Sequence, residues 1–344
     1  MKLRVLGISC GNGVLLHPFK QFLLGNIEPR GEYKTPNDIQ WKLNFDDIPL
    51  YYDASKKLLK KYKKINVIIS HPTCGHSSAL AYSRGKKLGD AKKDKTMKLF
   101  IHSVKKIKPE VFLFENLTNL FKSFPWDEFD SKFKRYRLIK FNVSMAAFGN
   151  SQISRHRLII IGIKKGHQSI FSSDFRLPNE ESIHLKKVFE LESNLIYPNA
   201  ALCHIREDDK TIVCMEKDFK KLNLKQIRDI WNSEEYKDRK KWDATTTGKG
   251  KMKNLPGVYR NLANSYPLTA RKQNRQFNSK GFIMSPRELA RIQGIPDSFK
   301  LWYTATKDQY SINKARVTAT KCPPYNLGQW FFNCLTKIYK NGNQ

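Results

Sequence analysis

The sequence predicts an α/β protein, with a doubly wound, mostly parallel sheet and a smaller, irregular second domain. Three observations carry that expectation. Short, wholly apolar runs recur up to about residue 166, polar or helical stretches separate them, and from Lys165 to about Lys280 the pattern gives way to mixed polar sequence. Continuous apolar strands are what a parallel sheet covered on both faces requires, and helical crossovers between them make it doubly wound. In such sheets ligands bind at the carboxyl ends of the strands, so the residues just after each run are the candidates for function.

The first run, Leu3 to Ile8, enters Gly7-Ile-Ser-Cys-Gly-Asn-Gly13, where Gly11, Asn12 and Gly13 form a turn that lets backbone approach a nucleotide-like ligand. The second, Phe22 to Ile27, ends at Glu28, an acid placed to take both hydroxyls of a ribose. Asp46-Asp47-Ile48 adds a carboxylate, Asp47, in a loop suited to an adenine amino group. Together these suggest an adenosine-containing ligand.

The third run, Val67 to Ser70, continues into His71-Pro72-Thr73-Cys74. A cysteine on a proline-stiffened turn at the ligand edge sits where backbone amides and cations lower a thiol's pKa. The fourth, Val111 to Phe114, ends in Glu115-Asn116 at the same edge, which sets an acid beside the thiol. Gly149-Asn-Ser-Gln152-Ile-Ser-Arg155-His-Arg157 then precedes the strand Leu158 to Ile163, and alternation puts Arg155 and Arg157 on one face, free to hold a carbonyl, a phosphate or Glu115.

The second domain, expected over 167–281, carries basic clusters at Lys237 to Trp242 and Gly248 to Lys253 with interspersed aromatics, and Lys249, Lys251 and Lys253 are its candidate phosphate contacts. A final segment, 282–344, opens with Ser285-Pro286-Arg287-Glu288, a helix start with Ser as N-cap and Pro at the first position, and this helix stops at Gly294.

Composition narrows the function. There are 63 Lys and Arg against 31 Asp and Glu, a formal charge of +32. An AT-rich gene explains many lysines but not the shortage of acids, so a polyanionic partner, most commonly nucleic acid, is implied. The six cysteines contain no CxxC pair, which argues against a zinc site or a disulfide framework and predicts reduced thiols. No run is long enough to span a membrane and the N-terminus reads as a strand, so a soluble, cytoplasmic protein is expected; a monomer, in a bacterial cell or a phage-infected host cell, is a further expectation.

These motifs, in this order, resemble the cytosine-C5 DNA methyltransferases over nearly the whole chain. The family's cofactor turn resembles Gly11 to Gly13, its ribose acid Glu28 and its adenine-contacting acid Asp47. Its Pro-Cys loop resembles Pro72-Thr73-Cys74, its Glu-Asn-Val motif Glu115-Asn116-Leu117, and its Gln-x-Arg-x-Arg motif Gln152, Arg155 and Arg157. The most specific match is Arg287-Glu-Leu-Ala-Arg-Ile-Gln-Gly-Ile-Pro-Asp-Ser-Phe299.

The resemblance implies a Rossmann-like, S-adenosylmethionine-dependent enzyme without a metal, acting on a cytosine flipped out of duplex DNA. Cys74 is then the nucleophile at C6, Glu115 the group at N3 and N4, Asn116 its positioner, and Arg157 the contact to O2 with Arg155 in support. Pro72 joins the cofactor contacts, and residues 75–98 form a closing loop whose Arg84, Lys86 and Lys87 meet phosphates.

Two departures stand out. Gly7-Ile-Ser-Cys-Gly11 lacks the acid and aromatic usual in the family's cofactor turn, and Ala319-Thr-Lys-Cys-Pro-Pro324 places Lys321 where the methionine end of the cofactor is expected. A tRNA cytosine methyltransferase, a family member using a carboxylated cofactor and a catalytically silent DNA-binding homologue remain alternatives.

Overall fold

In the computed structural model the described residues are 3–29, 36–52, 55–62, 64–73, 91–148, 155–167, 169–178, 286–301, 319 and 322–341, with two short strand segments at 258–260 and 275–277. By internal packing the chain divides into two compact units. One comprises Met1–Phe148, Arg155–Glu180 and Cys322–Gln344; the other comprises Gly149–Ser154 and Glu181–Lys321.

The first unit is built on a seven-stranded sheet: β1 (Val5–Ile8), β2 (Leu23–Ile27), β3 (Leu50–Tyr51), β4 (Val67–Ser70), β5 (Val111–Asn116), β6 (Tyr136–Ser144) and β7 (His156–Lys164). Their order is β3-β2-β1-β4-β5-β7-β6, and β7 alone runs against the rest. Every residue of β1, β4 and β5 is buried, which is why these strands read as unbroken apolar runs. The two strands outside the sequence expectation are β3, only two residues long, and β6. The latter is an edge strand that leaves Arg137, Lys140 and Asn142 exposed, so it shows no continuous apolar run.

Helices α1 (Pro36–Asn44) and α2 (Lys56–Lys61) flank β3, and α3 (Lys95–Ile107) links β4 to β5. Asp94 caps α3 by accepting from the amides of Thr96 at 2.8 Å and Met97 at 3.2 Å. Its Met97, Phe100, Val104 and Ile107 recur at helical spacing and are buried. There Phe100, Phe112, Phe114 and Phe133 join Phe129, from α4 (Trp126–Ser131), in one aromatic cluster with centroids 5.0 to 5.5 Å apart. Gly162 on β7 is the partner this cluster needs, because a Cβ there would stand 2.1 Å from Phe112 Cε1.

In the second unit two three-residue strands, Val258–Arg260 and Arg275–Phe277, pair in parallel. Helix α5 (Pro286–Ile292) starts at the expected proline. The chain leaves it through Gly294 at φ +70°, a left-handed position suited to glycine. The long segment that resembles the family most is tied within itself. Arg287 donates to the carbonyls of Pro296 and Phe299, and Arg291 forks onto Asp297, which holds that carboxyl below its usual range.

Helix α6 (Tyr325–Asn341) returns to the first unit and packs on the 3-10 helix Val14–Phe22, with Phe331 and Phe332 against Phe19. Gly328 permits the contact: a Cβ there would meet the Leu15 carbonyl at 2.4 Å.

Candidate active site

Register aligns the site. Ile8 pairs with Ser70 and Ser70 with Phe114, so Ser9, His71 and Glu115 leave three adjacent strands at one level. Antiparallel β7 begins at that edge, which brings Arg157 to it.

Glu115 is wholly buried. Its Oε2 contacts His71 Nδ1, and its Oε1 lies 2.9 Å from Arg157 Nε. That second approach is an ion pair without hydrogen-bond alignment, so Oε1 accepts no hydrogen bond among the described residues. Burial opposes ionisation, but the charges of His71, Arg157 and Arg155 outweigh it and hold the carboxyl below its usual range.

Next to it, Asn116 Nδ2 donates to the Pro72 carbonyl at 3.1 Å while Oδ1 accepts from the Leu117 amide at 2.8 Å. Asn116 therefore ties β5 to the turn that leads into Cys74. A second tie comes from α3, where the Thr73 amide donates to Thr96 Oγ1 at 2.8 Å, and Thr96 is itself bonded to the Asp94 cap. Arg155 is buried and donates from Nη2 to the Cys322 carbonyl at 2.6 Å, fixing the segment that enters α6.

At the neighbouring strand ends, Ser9, Gly11 and Gly13 all have positive φ, at +56°, +59° and +82°. Glu28 Oε1 accepts from the Gly11 amide at 2.7 Å and from Asn26 Nδ2 at 2.9 Å, so this acid pins the turn. Asn12 is buried and accepts from the Val14 amide, whereas Asp47 is exposed in the loop before β3. Ser9 Oγ is buried and has no hydrogen-bond partner among the described residues.

Cys10 is no nucleophile: it donates to the Ile69 carbonyl, and burial raises its pKa far above the ordinary thiol value. Burial likewise pushes the Cys322 thiol up to about 12 and that of Cys334 to about 11.

The structure thus brings together Glu115, Asn116, Arg155, Arg157 and Pro72, with Gly11, Asn12, Gly13 and Glu28 at the adjoining edge. Cys74, Gln152, Arg84, Lys86, Lys87, Lys249, Lys251, Lys253 and Lys321 lie outside the described residues. Sequence reasoning missed His71, although its place directly after β4, across from Glu115, was a usable sign. It also missed Thr96, Asn26 and Ser9, whose roles depend on long-range contacts or burial.

A seven-stranded sheet of this order, with a glycine turn and acid at one strand pair and an acid-loop pair at the next, defines a Rossmann-like methyltransferase fold. The chain belongs to the C-5 cytosine-specific DNA methylase family, whose profile matches residues 11–314. It is 24% identical over 271 residues to the Type II methyltransferase M.FnuDI of Fusobacterium nucleatum, covering 76% of this chain and 75% of that protein.

Three solved structures share the fold. A protein described as a DNA modification methyltransferase encoded within an E. coli prophage superposes with a TM-score of 0.66 at 15% identity, over 98% of this chain and 99% of that one. The S. pombe Dnmt2 methyltransferase gives 0.60 at 13% identity over 100% of both chains. The Entamoeba histolytica methyltransferase EhMeth gives 0.55 at 13% over 100% of this chain and 99% of the other.

Proposed function

We propose that the protein methylates C5 of a cytosine flipped out of duplex DNA, through a covalent adduct between Cys74 and C6, with S-adenosylmethionine as methyl donor. The observation that carries the proposal is Glu115: wholly buried, ringed by cations and with one oxygen taking no hydrogen bond, at the edge where the turn into Cys74 begins. A buried charged acceptor left open in this way suits the N4 amino group of a cytosine, and a proton held there would reach the neighbouring N3.

The strand ends fit an adenosine-type cofactor. Ser9 Oγ is buried without a partner beside a turn of left-handed residues, which matches a site built for polar atoms of a ligand. Gly11, Asn12, Gly13 and Glu28 would hold it, together with Asp47, Pro72 and Lys321. When bound, S-adenosylmethionine supplies a methyl on a positively charged sulfur that a carbon nucleophile attacks.

The protein's own task is to make C5 such a nucleophile. Cys74 adds to C6, and the ring electrons move toward N3. Glu115 meets the charge that develops there, in a site closed to water where electrostatic stabilisation is strong. Asn116 and Thr96 fix the turn that carries the thiol, since a displacement of about 1 Å at a reacting atom costs roughly 10²-fold in rate. Arg157 faces the ring's O2 and Arg155 anchors the Cys322 segment. Residues 181–321, with Lys249, Lys251 and Lys253, supply recognition and phosphate contacts, and Arg84, Lys86 and Lys87 add to them from residues 75–98. The M.FnuDI relationship extends this reading to a restriction-modification role.

The test is transfer of labelled methyl from S-adenosylmethionine to duplex DNA and to tRNA. Transfer to DNA, loss of it in Cys74→Ser, and a covalent complex at Cys74 with duplex containing 5-fluorocytosine are expected. Faster transfer to tRNA, or an adduct at another cysteine, would overturn the substrate or the nucleophile respectively.

A further inference from the structure

We propose that His71 is the proton partner of Glu115, loading it for transfer to cytosine N3 as Cys74 adds to C6. This role rests on the cytosine-methylating function above. Its basis is a contradiction that the site's geometry creates and resolves. The charges around Glu115 keep it ionised, yet N3 needs a proton from that carboxyl when the ring takes up the thiolate's electrons.

The groups facing Glu115 from every packed element are His71 after β4, Arg155 and Arg157 on β7, Cys10 after β1 and Cys322 before α6. Arginine does not give up its proton in proteins. The two thiols are buried and pushed far from neutrality, and Cys10 is already committed to the Ile69 carbonyl. Of these groups, His71 alone is of a type that binds and releases a proton near neutral pH, and its Nδ1 is in contact with Oε2. Its side chain is 18% exposed, whereas Glu115 is fully enclosed, so the imidazole is also the route by which a proton reaches the carboxyl from solvent.

The step balances. The Cys74 thiolate forms a bond to C6 and the C5=C6 π pair shifts toward N3. The Nδ1 proton passes to the Glu115 carboxylate and the carboxyl proton passes to N3, which leaves the carboxylate ionised as before and the imidazole neutral. When the thiolate is later expelled and the C5 proton passes to water, the N3 proton returns through Glu115 to His71. His71 never touches the base; it is a positioning residue that acts through Glu115.

The discriminating variant is His71→Asn, which keeps a side-chain N–H close to the place of Nδ1 but cannot release a proton. Single-turnover methyl transfer to duplex DNA would be followed against pH, with thermal unfolding and binding of DNA and S-adenosylmethionine as controls. Wild type should lose rate on the alkaline side. His71→Asn should bind both ligands as wild type does, run roughly 10²-fold slower at neutral pH, and lack that alkaline fall. His71→Gln, which sets its N–H farther out, should behave likewise and stands in if the Asn variant does not fold.

A variant as fast as wild type would overturn the proposal, and so would a slow one that keeps the same alkaline fall, because that is a structural defect. If wild type methylates and the variants match it, this role alone fails. If wild type transfers no methyl to DNA, the parent reading fails with it.

Discussion

Replacing Asn116 with Ala removes one side chain and unties two places at once. The Pro72 carbonyl loses its donor at 3.1 Å and the Leu117 amide loses its acceptor at 2.8 Å. Asn116 is 1% exposed and Pro72 is buried, so water does not readily replace the lost partner at the carbonyl. An unsatisfied buried group costs about 1 to 3 kcal/mol, and the half-buried Leu117 amide adds a smaller amount, which gives a loss of about 2 to 4 kcal/mol. Urea unfolding measures this directly from the midpoint at unchanged slope.

Activity should fall further than stability requires. With its tether cut, the turn before Cys74 shifts, and misplacement of about 1 Å costs roughly 10²-fold in single-turnover rate. Asn116→Asp separates the two ties. It keeps an acceptor for Leu117 but sets an oxygen against the Pro72 carbonyl, so its rate should fall at least as far as that of the Ala variant. A stability loss below about 1 kcal/mol together with an unaltered rate would show that the tether carries nothing. So would an Asp variant as active as wild type.

Gly13→Ala should cost about 2 to 5 kcal/mol, from left-handed strain at φ +82° and a Cβ 2.3 Å from Phe45 Cε2, whereas Gly166→Ala, at φ +80° with nothing within 4 Å, should lose only the strain of about 1 to 2 kcal/mol; equal urea midpoints would refute the packing contribution. The depressed Glu115 carboxyl makes a stability contribution that is fully present above its ordinary value of 4.5 and lost as pH falls through the lower folded value. The stability difference between wild type and Glu115→Gln should therefore shift as pH falls below 4.5, and a difference that does not change with acid would refute the assignment.

Much of the sheet was legible because buried parallel strands must be apolar throughout, so β1, β4, β5 and the core of β7 declared themselves as runs. Strand β6 did not, since an edge strand left exposed at Arg137, Lys140 and Asn142 need not be apolar throughout. At the site, Glu115, Asn116 and the arginine pair were readable because they fall directly at strand ends. Their division of labour was not. Arg155 bonds a carbonyl 167 residues away and Arg157 faces Glu115, a split that alternation along one strand cannot reveal. Glu28 was placed correctly at its strand end, but its hold on the Gly11 amide became visible only with the turn folded.

The seating of α6 on Val14–Phe22 has a consequence for biosynthesis. The aromatic faces that cover Phe19, and the carbonyl that Arg155 grips, come from residues beyond 321, so the ribosome must pass that point before the catalytic unit can close. At about 5 to 20 residues per second, the first strands wait tens of seconds with that surface uncovered. A nascent or prematurely ended chain therefore lacks the backing of its own glycine turn and the anchor of Arg155. Closure of the catalytic unit is in this way delayed until the residues of α6 have been made.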